Sequence, residues 1–136
     1  MKKIVFLSFI ILLAFTSKVK AQSCVDTLAV LQTIVANKSS YIGQPFSVLE
    51  SQLPIAVKNF LPIPMGNKRY EERNTSFSFF YSQDVNRTYP RLSIIWQVPL
   101  NQSLSYSLWG QTSGAWTSIH SAHYANAVIK DIGIIK

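Results

Sequence analysis

The stretch SFSFFYSQDVNRTYPRLSIIWQVPL, residues 76–100, carries the clearest periodic signal in the chain. Phe77, Phe79 and Tyr81 alternate with Ser76, Ser78 and Ser82, while Leu92, Ile94, Trp96 and Val98 alternate with Ser93, Ile95 and Gln97. A period of two sends successive side chains to opposite faces of a strand. The two runs, joined by Gln83 to Thr88, therefore predict an antiparallel hairpin with one apolar face and one face rich in hydroxyls. The apolar face needs a cover, and two segments upstream have helical spacing suited to provide it.

In the first, Val25, Leu28, Leu31, Ile34 and Val35 form an apolar stripe, with Ser23 placed to cap the start and Asp26 in the first turn. Asn37 to Ser40 ends it. In the second, Ser47 and Glu50 match a capping box, with a start nearer Pro45 as the competing assignment, and Pro54 stops the helix. Ile55 to Leu61 reads as an edge strand among prolines 54, 62 and 64, Met65 to Lys68 as a turn, and Tyr70 to Thr75 as a charged approach to the hairpin. Two short helices ahead of an antiparallel sheet, with Ile42-Gly43 leading into a helix through Val48-Leu49, resemble the small outer-membrane assembly lipoproteins and the β-lactamase inhibitor domains. No residue role is carried over from them.

Downstream, Leu104, Tyr106 and Leu108 alternate with serines, which favours a strand over Ser103–Trp109, although Leu104 and Leu108 are also one helical turn apart. Gly110 to Gly114 reads as a flexible turn and Trp116–Ala127 as a helix with Thr117 as its cap. Val128–Ile135 reads as a closing strand with Val128, Lys130, Ile132 and Ile134 on its inner side. The expected fold class is α+β: two N-terminal helices, an antiparallel sheet of four to five strands, and one further helix before a C-terminal strand.

Met1-Lys2-Lys3, the apolar run Ile4 to Phe15 and the small residues of Val19-Lys20-Ala21 have the layout of a bacterial secretory leader. The apolar run is shorter than the ~20 residues that span a bilayer. Residues 1–21 are thus expected to be removed after Ala21, leaving 22–136 as one domain with no integral membrane segment. Four lysines would leave with the leader, so nine basic residues would face six acidic ones. Those cations are scattered, with Glu71-Glu72 interrupting the densest group, which argues against a nucleic-acid surface. The lone cysteine, Cys24, cannot form an intramolecular disulfide. It is a weak candidate for a lipid anchor, because Gln22 departs from the aliphatic-small-small run that lipidation requires; cross-linking to another chain and a plain small residue near a helix start are the alternatives.

Few residues suggest chemistry. His120 and His123 lie three apart, a spacing that two metal-binding imidazoles or a general base could use. Only Asp131 or Asp84 offers a further ligand, and Ser118 and Ser121 lack a Gly-x-Ser-x-Gly context. No cofactor and no metal is expected. Trp96 falls on the core face of the hairpin, whereas Trp109 and Trp116, with Tyr106, flank a Gly/Ser loop that could present rings to a peptide or a sugar. The expectation is an exported, non-enzymatic binding module of the bacterial envelope, periplasmic or secreted, or membrane-tethered if Cys24 carries lipid. Its partner would be an unknown protein or an envelope glycan. The rivals are a small hydrolase or metal enzyme built on His120 and His123, and a glycan-binding domain built on Trp109 and Trp116.

Overall fold

Alternation in the serine-laced stretch does build the centre of a sheet. The computed structural model describes residues 26–80 and 89–136; the expected leader, Ser23, Cys24 and the Gln83 to Thr88 connection (with Asp84) lie outside them. Four strands, β1 (Asn59–Met65), β2 (Lys68–Ser78), β3 (Arg91–Asn101) and β4 (Ile129–Ile135), run antiparallel in the order β1-β2-β3-β4. The β2–β3 register sets Phe77 opposite Leu92 and Thr75 opposite Ile94. Phe77, Leu92, Ile94 and Trp96 are fully buried on one face, and Phe79 nearly so.

Helices α1 (Thr27–Ala36) and α2 (Phe46–Gln52) precede the sheet, and α3 (Gln102–Thr112) and α4 (Ser118–Tyr124) fall between β3 and β4. The expected α+β class with an antiparallel sheet holds, but two helices rather than one precede the last strand. Asp26 caps α1 by accepting from the Ala29 amide at 3.3 Å, and Leu31 and Ile34 are its buried residues. Helix α2 starts after Pro45, with no side-chain cap, so the Ser47 capping box does not form. Glu50 instead receives the Trp116 indole N–H at 3.1 Å and the Ser121 hydroxyl at 2.7 Å, clamping α2 to the chain around α4.

Three corrections to the sequence reading have clear physical causes. Ser103–Trp109 is helix, not strand: Asn101 caps α3 by accepting from the Leu104 amide at 3.1 Å, and the buried residues are Gln102 and Ser105, while Leu104 and Tyr106 stand outward. The inward stripe is polar, so hydrophobic periodicity points the wrong way. The stretch from Lys68 to Thr75 is strand rather than approach, and β1 runs on through Pro62 and Pro64, which an edge position tolerates because no ladder donor is lost there. On β3 and β4 the even alternation fails. Between Asn74↔Ile95 and Glu72↔Leu100 the longer β3 path bulges away from β2, leaving Val98 69% exposed. Between Trp96↔Ile129 and Ile95↔Asp131 an extra residue on β4 brings Ile129 and Ile132 onto the buried face.

Aromatic rings fill the space between sheet and helices. Phe46 stacks on Phe77 at 4.8 Å and receives the edges of Trp96, Trp116 and Tyr124 at 5.8–6.5 Å. Phe46 is wholly buried, so Phe46→Ala removes both its transfer free energy and the filling of its site. Urea denaturation of Phe46→Ala is expected to show a loss of about 3–5 kcal/mol.

Candidate functional site

Two polar assemblies stand out, one inside the core and one on the opposite face of the sheet. The inner one centres on Glu72, which is 0% exposed. Its Oε1 accepts from the Thr75 hydroxyl and, at 2.7 Å, from the Tyr124 hydroxyl; Thr75 in turn accepts from the Trp96 indole at 2.8 Å. Oε2 has no hydrogen-bond partner among the described residues. Burial pushes the Glu72 carboxyl above the usual carboxylate range, against the opposing pull of the Ser105, Thr75 and Tyr124 hydroxyls. Burial likewise raises the Tyr124 phenol, with the nearby Glu72 charge adding to it.

The two histidines have separate engagements. His120 is buried; its Nδ1 accepts from the Thr117 amide at 3.0 Å, completing a cap at the start of α4, and its Nε2 donates to the Leu108 carbonyl at 3.0 Å. These partners assign the neutral Nε2–H tautomer. His123 is half-buried and its Nε2 lies 2.9 Å from the Ser105 hydroxyl. Burial lowers the His123 pKa, and His120 adds to the effect. Among the described residues no three His, Cys, Asp or Glu side chains are grouped to hold a metal ion. Ser105 beside His123 pairs a hydroxyl with a base, and Ser105 is 0% exposed.

The second assembly is a groove of about 230 Å³ beside the β1 edge, where the hydroxyl-bearing sheet face meets α3. The register places Ser78 opposite Asn59 and Ser76 opposite Leu61. By the same register as Phe77↔Leu92, Arg91 stands beside Ser78. These five residues and Trp109 line the groove. Ser76 and Ser78 are 2% and 6% exposed and their hydroxyls have no hydrogen-bond partner among the described residues. Asn59 donates its amide to the Phe80 carbonyl at 2.5 Å, fixing the end of β2.

The groove wall is set by a close approach. Ser113 and Gly114 take left-handed backbone angles, φ 52° and 89°, and end α3. Gly114 then returns along the β1 edge, where its carbonyl accepts from the Phe60 amide at 3.0 Å, and the Trp116 amide donates to the Lys58 carbonyl at 2.9 Å. A Cβ on Gly114 would lie 2.7 Å from Trp109 Nε1, so only glycine lets the indole seat here.

Of the three expected binding aromatics, the structure unites two. Tyr106 and Trp109 lie on helix α3, not on a loop, with rings stacked at 5.3 Å and 23°; Tyr106 is 56% exposed. Trp116 makes ring contacts with Phe60 and Phe77 of the core, and Trp109 is also partly buried against that core. Sequence reading named the hydroxyl face but not Arg91, Asn59 or the buried Glu72. The alternation of Ser76 and Ser78 was the signal available; the register that brings Arg91 beside them is a long-range property. No protein-family model, curated protein or solved structure matches the chain.

Two outcomes follow from this geometry. Gly114→Ala is expected to cost about 1–3 kcal/mol, because it adds left-handed strain and displaces Trp109; urea unfolding followed by tryptophan fluorescence measures both. Glu72 holds its proton in the folded chain after the unfolded chain has lost it. Stability from this group is full below its ordinary pKa of 4.5 and falls as pH rises through the higher folded value. Glu72→Gln keeps an acceptor for Tyr124 and carries no charge, so its stability relative to wild type should improve steadily in denaturation series taken upward from pH 4.5.

Proposed function

We propose that this chain is an exported binding module of the bacterial envelope and that the groove beside Trp109 is where it holds its ligand. The observation that carries this reading is the pair of unsatisfied serine hydroxyls on the groove lining. Buried polar groups ordinarily find a partner, and two orphaned side by side in a concave site are suited to a ligand that supplies it. A serine rotamer change is enough to turn either hydroxyl toward an occupant.

The surroundings support binding rather than catalysis. Trp109 contributes a flat apolar wall on a rigid helix, and none of the groove residues is a nucleophile paired with a base. Export, to the periplasm or beyond, comes from the leader pattern of residues 1–21. A glycan is the second reading, favoured by the exposed Tyr106 ring stacked on the half-buried Trp109, since sugar rings pack on such faces.

A ligand-observed NMR screen of small ring compounds, run in parallel on wild type and Trp109→Ala, tests the site. Ring compounds should show saturation transfer that weakens at least several-fold in Trp109→Ala. Equal transfer with both proteins removes the groove as the binding site. Soluble cell-wall oligosaccharides in the same screen separate the glycan reading, which requires a loss in Tyr106→Ala as well.

A further inference from the structure

Donors and acceptors are unequally divided in this groove. Arg91 contributes a guanidinium that has no ion-pair or hydrogen-bond partner among the described residues. Ser76 and Ser78 contribute hydroxyls that have no partner among the described residues; both oxygens are shielded, so a rotamer change must turn them into the groove. Among the described residues that line it, none is acidic. One fixed positive charge flanked by neutral donors matches a monoanion. A guanidinium fork binds a planar carboxylate through two parallel hydrogen bonds, a geometry that neither hydroxyls nor a lysine reproduces.

Size and shape narrow the ligand further. About 230 Å³ is below the range of drug-sized pockets, so the occupant is small. Leu61 and the Trp109 ring give the remaining wall an apolar character that suits a ring or short aliphatic body. Resting on the binding-module reading above, we infer that the groove takes a small carboxylic acid with an apolar ring. Its carboxylate lies on Arg91 and the Ser76 and Ser78 hydroxyls, and its ring lies on Trp109.

Phenylacetate and its neutral isostere phenylacetamide discriminate the charge from the shape. Calorimetric titration of the protein should show phenylacetate binding about tenfold or more tightly than phenylacetamide, the difference expected for a charge-assisted pair. Arg91→Gln should abolish that preference, and Arg91→Lys should retain only part of it. Ser78→Ala provides a control on folding. It removes an unpaired buried hydroxyl, so thermal stability should hold or rise while phenylacetate binding weakens several-fold. Equal affinity for the two probes, unaffected by Arg91→Gln, overturns the carboxylate assignment and leaves the groove as a binding site. Binding of neither probe overturns the carboxylate assignment; the groove itself then falls only if Trp109→Ala also leaves the ring-compound screen unchanged.

Discussion

The buried carboxyl of Glu72 constrains the architecture more than any other group. An ionised carboxylate without a counter-charge is costly in an apolar interior, so burial raises the Glu72 pKa and the group must be surrounded by hydrogen-bonding groups. Its Oε1 is shared between Thr75 on β2 and Tyr124 at the end of α4, and Thr75 is held by Trp96 from β3. Three elements distant in sequence are thereby joined through two atoms, Glu72 Oε1 and Thr75 Oγ1. Hydrophobic burial is non-directional, whereas this chain of donors has a single correct geometry and specifies how α4 docks. The unusual inward face of α3 belongs to the same arrangement, because Ser105 links toward His123 on α4 where a leucine would otherwise be expected.

That arrangement also explains which parts of the fold were legible. Phe77, Leu92, Ile94 and Trp96 could be assigned to the core because strand alternation is local and their face of the sheet is mostly apolar. Thr117 could be read as a cap because capping uses residues within one turn. Helix α3 could not: its buried Gln102 and Ser105 and its exposed Leu104 and Tyr106 invert the usual pattern, and the Ser105 bond to His123 is a long-range contact. The bulges that expose Val98 and bury Ile129 were equally hidden, since each depends on what the neighbouring strand is doing.

The candidate site was half legible for the same reason. The serine face followed from alternation, and Trp109 and Tyr106 were picked out as aromatics near a glycine-rich turn. Their meeting depends on Gly114, whose bare Cα admits the indole and whose carbonyl extends the sheet edge. Arg91 enters only through register, and no local pattern announces it.

Core and groove are two sides of one backbone. Each strand residue that turns Phe77 inward turns Ser76 and Ser78 outward, so a slip by one position would lose the core and the groove floor together. Helix α3 links them a second time. Its Ser105 faces the interior, its Leu108 carbonyl accepts from His120 on α4, and one residue on, Trp109 forms the groove wall. The wall is thus positioned by hydrogen bonds made inside the protein, and the groove can remain open without a ligand to hold it in shape.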